Sequence, residues 1–400
     1  MVTTLALVST ILSVVTGLKM YWNAPTEVCK KSFNITFPLD EFEIIHNAND
    51  KFMGEKITVF YEHKQQANGA WPYFDGFNAS KPIGGGLPQL GDLVEHLRIF
   101  KQSIEAILPE DFDGPAIIDL EEWKPMLHLN WNEWKVYGEQ SIALVRQKHP
   151  ALSAKALKHT AAKEFNAAAK KWMLETLRYA KSLRPKAKWG YYGFPYCNYD
   201  AGDEGRNQCR IHFQRFNDEL GWLYAEVIAF YPSIYFFDGS KPAINSIYAQ
   251  AVLNETKRIR DKFNPKAAIF AYTRFEYSPS EAPELFYEEE DLCNSLRRIS
   301  DFDLDGGLVW TTSDGLNQQR CEILAGEVTR SFGPYLNLLR KREEECRGSR
   351  CSGHGHCVRF EPIQSCDLSL DPTSYSCKCD DGWTGDQCSA ENVTQTSEHC

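Results

Sequence analysis

The stretch Ala116-Ile117-Ile118-Asp119-Leu120-Glu121-Glu122-Trp123-Lys124-Pro125 decides how the rest of the chain is interpreted. An apolar run with β-branched residues ends in three carboxylates and a tryptophan, which predicts a strand buried on both faces with polar chemistry at its carboxyl end. Positions i and i+2 of a strand point the same way, so Asp119 and Glu121 would project side by side, roughly 6 to 7 Å apart. Such closeness raises the proton affinity of at least one carboxylate, as a general acid working near neutral pH requires. Taken alone, an Asp-x-Glu triplet is more often an ordinary loop or helix-capping pair.

The cysteines divide the 400-residue chain into two unequal parts, with five before residue 340 and eight from residue 346 onward. This distribution predicts a large globular body followed by a small disulfide-dense module. The apolar run over residues 1–17 is typical of a secretory signal, although it lacks a basic start. The run is too short, and too often interrupted by Ser and Thr, for a transmembrane helix. We therefore expect a secreted, extracellular or lysosomal protein without a stable membrane span.

Charge and short motifs narrow the function further. The formal net charge is −10 with the two signs well mixed, which argues against nucleic acid as a partner. No Gly-x-Gly-x-x-Gly follows a predicted strand, which argues against a dinucleotide fold, and we expect neither a metal nor an organic cofactor. Asn-x-Ser/Thr triplets fit a secreted glycoprotein and predict the glycosylation sites Asn34, Asn78, Asn254 and Asn392.

Strand and helix patterns alternate along the chain. The predicted strands cover residues 20–24, 57–61, 116–121, 186–194, 227–235, 267–272 and 307–312, and the predicted helices cover 94–107, 131–146, 154–183, 211–225, 247–263, 284–300 and 318–339. This alternation predicts an α/β fold with a parallel sheet, and its length favours a TIM-like barrel, whose active site lies at the carboxyl ends of the strands. Tyr192, Tyr235 and Trp310 fall at such ends. Each alone is more often a core aromatic, but an acid pair ringed by aromatics predicts a sugar-binding cleft.

The last cysteines have the spacing of an EGF-like module. The predicted disulfides within it are Cys346–Cys357, Cys351–Cys377 and Cys379–Cys388. A zinc site is the alternative, but a secreted chain and the single residue between Cys377 and Cys379 favour disulfides. The spacing of Cys197 and Cys209 permits a further local disulfide, and the pairing of Cys293, Cys366 and Cys400 stays open. The expected organisation is a signal over 1–17, a catalytic barrel over 18–342, an EGF-like module over 343–390 that is a candidate surface for a protein partner, and a tail over 391–400.

Several motifs, taken in this order, resemble the animal hyaluronidases, glycoside hydrolase family 56. They are Trp22-Asn23, Gly84-Gly85-Gly86-Leu87-Pro88-Gln89, Ile118-Asp119-x-Glu121-x-Trp123, Tyr192-Gly193-Phe194-Pro195, Tyr231-Pro232-Ser233-Ile234-Tyr235, Val309-Trp310 and Cys351-Ser352-Gly353-His354-Gly355. The resemblance covers most of the chain. It implies a distorted (β/α)7 barrel followed by an EGF-like module, with the disulfides Cys29–Cys321 and Cys197–Cys209.

The resemblance also implies an endo-β-N-acetylhexosaminidase that cleaves β-1,4 linkages of hyaluronan, chondroitin or both by a retaining, substrate-assisted mechanism. Glu121 would be the acid and base, and Asp119 would orient the acetamido group of the substrate. Tyr192 and Tyr235 would donate hydrogen bonds, while Trp310 would enclose the acetamido methyl. The further predicted substrate contacts are Lys124, Trp71, Thr312 and Ser313.

Two positions depart from most relatives, which carry an aromatic where this chain has Leu120 and an arginine where it has Lys124. Leu120 should alter packing rather than chemistry, whereas Lys124 keeps the charge but loses the bidentate fork of arginine. The choice between hyaluronan and chondroitin therefore stays open. The alternative function is a non-catalytic glycosaminoglycan-binding or adhesion protein on the same barrel, and the joint presence of Asp119 and Glu121 argues against it. A chitinase-like enzyme is a third hypothesis, but its alternating aspartates are missing.

Overall fold

The computed structural model describes residues 18–62, 69–203, 205–359 and 375–392. The expected signal over 1–17, Cys366, Cys400 and the end of the tail lie outside the described residues. The strands are β1 (Met20–Trp22), β2 (Thr58–Tyr61), β3 (Tyr73–Phe74), β4 (Pro82–Ile83), β5 (Pro115–Asp119), β6 (Lys188–Tyr191), β7 (Ala229–Phe230), β8 (Ala268–Thr273), β9 (Glu276–Ser278), β10 (Ala282–Phe286), β11 (Gly306–Val309), β12 (Gly355–Arg359), β13 (Tyr375–Cys379), β14 (Trp383–Thr384) and β15 (Ala390–Glu391). The helices are α1 (Glu27–Phe33), α2 (Leu93–Ile107), α3 (Lys135–Lys148), α4 (Ala154–Leu183), α5 (Ile211–Glu219), α6 (Gly221–Tyr224), α7 (Pro242–Phe263), α8 (Glu289–Leu292), α9 (Arg298–Asp301), α10 (Gln318–Glu327) and α11 (Gly333–Arg350).

Side-chain caps fix where several helices begin. Asp92 accepts a hydrogen bond from the backbone of Glu95 at 3.0 Å before α2, and Ser153 accepts one from Ala156 at 3.3 Å before α4. Asn317 caps α10 in the same way. Each cap satisfies a backbone N–H that has no partner within the helix, which is worth about 1 kcal/mol.

The central strands are parallel and form two sheets. One has the strand order β2-β5-β6, and the other has the order β1-β11-β8-β7. The sheets meet where Ile228 donates to the carbonyl of Trp189 at 2.8 Å and where Tyr192 bridges to Tyr231. Among the described residues, no strand pairing joins β1 to β2. Strand β5 is therefore central in its sheet, with β2 and β6 beside it.

Alternation along β5 separates two apolar layers. Ile117 points into a cluster enclosed by the strands of both sheets, together with Tyr231 and Tyr272. Ile118 and Leu120 point the other way, into a cluster formed with helices α2, α3 and α4. Both isoleucines are essentially inaccessible to solvent, and burying such a side chain contributes roughly 1.5 to 3 kcal/mol. Leu120 thus packs on the helix side of the sheet, as strand alternation predicts.

The helix predicted over residues 284–300 is wrong in its first part. Residues 276–278 and 282–286 form the antiparallel pair β9 and β10, and the helix begins only at Glu289. Phe286 stacks on Phe275 with ring centroids 6.0 Å apart, and this packing outweighs the helical propensity of the acidic segment. From Cys293 to Arg297 the helix adopts π geometry before it continues as α9.

The C-terminal segment is held by disulfides and polar contacts. Helix α11 continues past residue 342, where the sequence places a domain boundary, and ends at Arg350. Strands β12 and β13 then pair antiparallel, and β14 pairs with β15. Asp303, which precedes β11, contacts His356 of β12 at 2.6 Å and Lys378 of β13 at 2.5 Å. These charge-assisted contacts join the C-terminal segment to the main body.

The disulfides are the pairs expected from the sequence: Cys29–Cys321, Cys197–Cys209, Cys346–Cys357, Cys351–Cys377 and Cys379–Cys388. Cys293, whose pairing the sequence left open, is disulfide-bonded as well. Within the described ranges, no helix carries an apolar stretch of the length that a bilayer crossing requires.

Candidate active site

A cavity of about 770 Å³ opens at the carboxyl ends of the parallel strands. Its aromatic and charged lining includes Tyr61, Asp119, Glu121, Lys124, Trp131, Trp134, Tyr192, Tyr196, Tyr199, Arg210, Tyr235, Phe237, Tyr272, Arg274 and Trp310. The predicted acid pair and the three predicted aromatics at strand ends therefore share one cavity. A concave site of this size with few polar groups among aromatic walls is typical of a ligand pocket.

Asp119 is the last residue of β5, and its side chain is only 5% exposed. In the register of the sheet it lies opposite Tyr61 of β2. Burial raises the pKa of Asp119 well above its usual range, and the negative charges of Glu121 and Glu62 raise it further, while Lys124 acts in the opposite direction. Its Oδ1 accepts no hydrogen bond from any described residue. The carboxyl group therefore holds its proton more tightly than an exposed aspartate does, and it has an oxygen free to accept a hydrogen bond from a ligand.

Glu121 follows the end of β5, and its backbone is fixed on both sides. Its N–H donates to Oε1 of Glu62 at 3.3 Å, and its carbonyl accepts from the indole N–H of Trp134 at 3.1 Å. The side chain itself is exposed to the cavity. This arrangement points the Glu121 carboxyl group into the cavity, where it could exchange a proton with a ligand.

Glu62 is a buried carboxyl group immediately behind this backbone. Burial raises the pKa of Glu62 to about 7, and the charge of Glu121 contributes to the increase. Three carboxyl groups, Asp119, Glu121 and Glu62, are thus clustered at the ends of β2 and β5. Burial and the neighbouring like charges raise the pKa of Asp119 and of Glu62, so these two groups retain protons at a pH where isolated carboxyl groups would lose them.

Aromatic rings form the wall opposite the acids. The Tyr192 ring lies 6.5 Å from that of Tyr235 and 5.2 Å from that of Tyr272, the second at a nearly perpendicular angle of 89°. Tyr235 stacks on Trp310 at 6.2 Å, and the indole N–H of Trp310 donates to the hydroxyl of Tyr61 at 3.0 Å. These edge and face contacts hold the rings in fixed orientations, so they form a preorganised surface for the face of a sugar.

Lys124 stands between the acids and two further aromatics. Its Nζ lies 5.2 Å from the ring centroid of Trp134 and 5.8 Å from that of Tyr196. Burial lowers the pKa of the Lys124 amine, while Glu121 and Asp119 oppose this by favouring the charged form. The ammonium group is therefore held in the cavity by aromatic and acidic neighbours rather than by a direct ion pair.

Three predicted substrate contacts do not line this cavity. Trp71 is 2% exposed and packs against His96 at 4.4 Å and Trp172 at 5.8 Å in the helix-side core. Thr312 is buried, and its hydroxyl accepts from the backbone of Asp314 at 3.1 Å. Ser313 is exposed outside the cavity. The structure thus brings Lys124 to the acid pair and leaves Trp71, Thr312 and Ser313 apart from it.

Sequence reasoning missed several lining residues. Tyr61 ends β2 and Tyr272 nearly ends β8, and both line the cavity, so the rule that strand ends carry the site pointed to them. Arg274 directly follows β8 and gave the same signal. Tyr199 belongs to the loop closed by Cys197–Cys209, and its place in the cavity had no local sequence signal.

The comparisons with known proteins identify the family. The hyaluronidase family model matches residues 10–399. The chain is 38% identical over 373 residues to a chondroitin hydrolase of Caenorhabditis elegans, covering 92% of this chain and 79% of that protein. It is 30% identical over 412 residues to hyaluronidase-1 of Rattus norvegicus, covering 93% and 89% of the two chains.

A solved structure agrees with these relatives. The crystal structure of bee venom hyaluronidase in complex with a hyaluronic acid tetramer aligns with a TM-score of 0.73 at 28% identity, covering 80% of this chain and 98% of that one. The resemblance seen in the sequence motifs is confirmed. Because the family model spans nearly the whole chain and relatives align along most of it, this chain belongs to the hyaluronidase family of glycoside hydrolases, glycoside hydrolase family 56.

Proposed function

We propose that this glycoside hydrolase is an endo-β-N-acetylhexosaminidase that cleaves β-1,4 linkages of hyaluronan, chondroitin or both. The proposed mechanism is retaining and substrate-assisted. The observation that carries the proposal is the pair Asp119 and Glu121 in one cavity walled by Tyr192, Tyr235 and Trp310. The relatives support the substrate class, since one is named a chondroitin hydrolase and another was solved with a hyaluronic acid tetramer.

In the proposed mechanism Glu121 protonates the glycosidic oxygen and later accepts the proton of the attacking water. Its side chain faces the cavity, and its backbone is held by Glu62 and Trp134. No second carboxylate acts as nucleophile. The acetamido oxygen of the substrate attacks the anomeric carbon instead, which is the substrate-assisted exception among retaining glycosidases.

Asp119 orients the acetamido group and stabilises the charge that develops on it. Burial favours the neutral form of Asp119, and the nearby charge of Lys124 opposes this only in part. The acetamido oxygen closes an oxazolinium-like ring on the anomeric carbon, and the positive charge of that ring favours the ionised form of Asp119. Asp119 therefore stabilises this intermediate more than it stabilises the bound substrate. Interactions that strengthen along the reaction are the ones that accelerate it.

The remaining residues shape the subsite for the N-acetylhexosamine. Tyr192 and Tyr235 supply hydroxyl groups beside the acetamido group, and Trp310 encloses its methyl group against the Tyr235 ring. Lys124 supplies a positive charge close to the acids for a substrate carboxylate. A sugar that lacks the N-acetyl group would lose both the nucleophile and these contacts.

Release of reducing ends tests this proposal directly. Purified protein is incubated with hyaluronan and, separately, with unsulfated chondroitin between about pH 4 and pH 7.5, a range that includes the raised pKa of about 7 of Glu62. We expect cleavage of at least one polymer, and the ratio of the two rates defines the preferred substrate. De-N-acetylated hyaluronan is the matched control and should not be cleaved. Cleavage of the control at the same rate would contradict the substrate-assisted mechanism.

The same family assignment supports an architectural proposal. The parallel order β2-β5-β6 followed by β7-β8-β11-β1 fits a seven-stranded barrel that is interrupted between β1 and β2. The disulfides after residue 342 fit an EGF-like module over 343–390.

We propose that the protein is a glycoprotein that is secreted or delivered to the lysosome. The candidate acceptors Asn34, Asn78 and Asn392 are exposed, as glycan attachment requires. Asn254 lies half-buried on α7, and its amide donates to the carbonyl of Asn207 at 2.9 Å. We therefore propose that the three exposed positions are glycosylated in preference to Asn254.

A further inference from the structure

Arg274 lies beside Tyr235 and Trp310, the two rings proposed above to form the acetamido pocket. It directly follows β8, and its guanidinium carbon is 3.9 Å from the ring centroid of Tyr235 and 4.8 Å from that of Trp310. Cation–π contacts of this kind contribute about 0.5 to 2 kcal/mol and leave the N–H groups at the edge of the guanidinium plane. The side chain is therefore held beside the sugar pocket while its donors remain available.

The charge of Arg274 has no acidic partner in the described part of the chain. Its Nε donates no hydrogen bond, although this atom is buried. Leaving such a donor unsatisfied costs about 1 to 3 kcal/mol, and the charge of the same guanidinium is open to an anionic ligand. The other cavity arginine differs, because Arg210 is paired with Asp200 at 2.6 Å. Lys124 differs too, since the nearby Glu121 and Asp119 favour its charged form.

An aromatic platform adjoins Arg274. Phe237 is 55% exposed and lies 5.9 Å from the guanidinium carbon. Tyr199 is 81% exposed and meets Phe237 edge to face at 6.2 Å and 80°. Both rings line the same cavity as the acid pair. Exposed aromatic rings next to a cation present a stacking surface for a sugar and a charge for its acidic substituent.

We propose that Arg274, Phe237 and Tyr199 form a subsite for the uronic acid that neighbours the N-acetylhexosamine in the polymer. This inference rests on the proposed function, because it takes the N-acetylhexosamine to lie against Tyr235 and Trp310. The ring of the uronic acid stacks on the platform, and its carboxylate accepts hydrogen bonds from the Arg274 guanidinium. The planar carboxylate matches the two parallel donors of an arginine edge.

The subsite has a consequence for recognition. In an unsulfated glycosaminoglycan each N-acetylhexosamine is flanked by uronic acids, so an arginine one sugar away from the acetamido pocket sets the register of the chain. A polymer shifted by one sugar would place a neutral residue at Arg274 and leave its donors unsatisfied, which disfavours that register. Arg274 is thus a positioning residue, distinct from the acid pair.

Binding of matched oligosaccharides tests the subsite without depending on turnover. In the Glu121→Gln background, calorimetry measures Kd for an unsulfated chondroitin hexasaccharide and for its carboxyl-reduced counterpart, with and without Arg274→Gln. We expect Arg274→Gln to weaken binding of the native oligosaccharide about tenfold and to leave binding of the reduced one unchanged. Arg215→Gln removes an equal charge from the exposed surface of α5, outside the cavity, and should change neither Kd by more than about twofold.

The other outcomes overturn the proposal. An equal loss with both oligosaccharides would mean that Arg274 only supports the Tyr235 and Trp310 rings. A sulfated chondroitin hexasaccharide is measured in the same way, and a loss confined to it would identify a sulfate site instead. Unchanged binding of the native oligosaccharide would remove Arg274 from recognition altogether. Failure of the proposed hydrolysis is seen separately, as an absence of reducing ends with the wild-type protein, and does not affect the comparison of Kd values.

Discussion

Replacing Glu62 with glutamine should remove part of the pH dependence of the protein's stability. Glu62 is 5% exposed, and burial raises its pKa from 4.5 to about 7. In the unfolded chain the group loses its proton near pH 4.5, whereas the folded protein retains it until about pH 7. The stability that protonated Glu62 contributes is therefore fully present below pH 4.5. It is lost as the pH rises to about 7, because over this range the unfolded state binds fewer protons than the folded state.

The size of the effect follows from the two pKa values. The interval from 4.5 to about 7, at about 1.4 kcal/mol per pH unit, corresponds to on the order of 3 kcal/mol. Glutamine resembles the protonated acid and can keep the acceptor for the backbone N–H of Glu121. We therefore expect the variant to match the wild type near pH 4.5 and to be more stable by up to about 3 kcal/mol near pH 7.5.

Urea unfolding at a series of pH values, followed by tryptophan fluorescence, measures this difference. Glu122, whose pKa burial also raises to about 7, is present in both proteins and contributes equally to each curve. Glu105→Gln, on the exposed face of α2, controls for the loss of one surface carboxylate. A Glu62→Gln protein whose stability relative to the wild type does not change between pH 4.5 and 7.5 would refute the reasoning.

Two further substitutions test the site and the fold. Trp134→Phe keeps a ring beneath Lys124 but removes the indole N–H that donates to the Glu121 carbonyl at 3.1 Å, so we expect kcat to fall about fivefold with KM little changed, measured as initial rates of reducing-end release. Gly190→Ala would place a Cβ atom 2.0 Å from the Ala229 carbonyl oxygen between β6 and β7, so we expect a loss of at least about 2 kcal/mol, measured by thermal unfolding.

Matched variants control both tests. Trp222→Phe alters a similar lysine-over-tryptophan contact, with Lys170 Nζ at 5.3 Å, away from the cavity and should leave kcat unchanged. Gly138→Ala lies on α3 where nothing approaches within 4 Å, and it should be neutral or stabilising by up to about 1 kcal/mol. An equal fall of kcat in both tryptophan variants, or a Gly190→Ala protein as stable as the wild type, would contradict the structural explanation.

The sequence predicted the part of the site that is local in the chain. The apolar run before Asp119 forms β5, and the change from apolar to acidic residues marks the end of that strand. Side-chain alternation then placed Leu120 on the opposite face from Asp119. Both inferences depend only on the geometry of one strand, so no knowledge of the neighbouring strands was needed.

Features that depend on packing between distant segments were not predicted. Trp71 was predicted to contact the substrate, yet it is buried against His96 and Trp172 from two helices. The hairpin of β9 and β10 was taken for the start of a helix because its pairing and the Phe275 contact are not visible in local periodicity. Tertiary contacts outweigh local propensity in such segments.

The central claim is that Glu121 is the proton donor of a glycoside hydrolysis, and one paired measurement tests it most directly. Reducing-end release and calorimetric binding are measured with the same hyaluronan and chondroitin preparations for the wild type and for Glu121→Gln. The account predicts that the wild type cleaves, and that the variant binds with similar affinity while its kcat falls at least about a hundredfold. A variant that still cleaves at the wild-type rate would exclude Glu121 as the acid, and a wild type that binds both polymers without cleaving either would identify a binding protein.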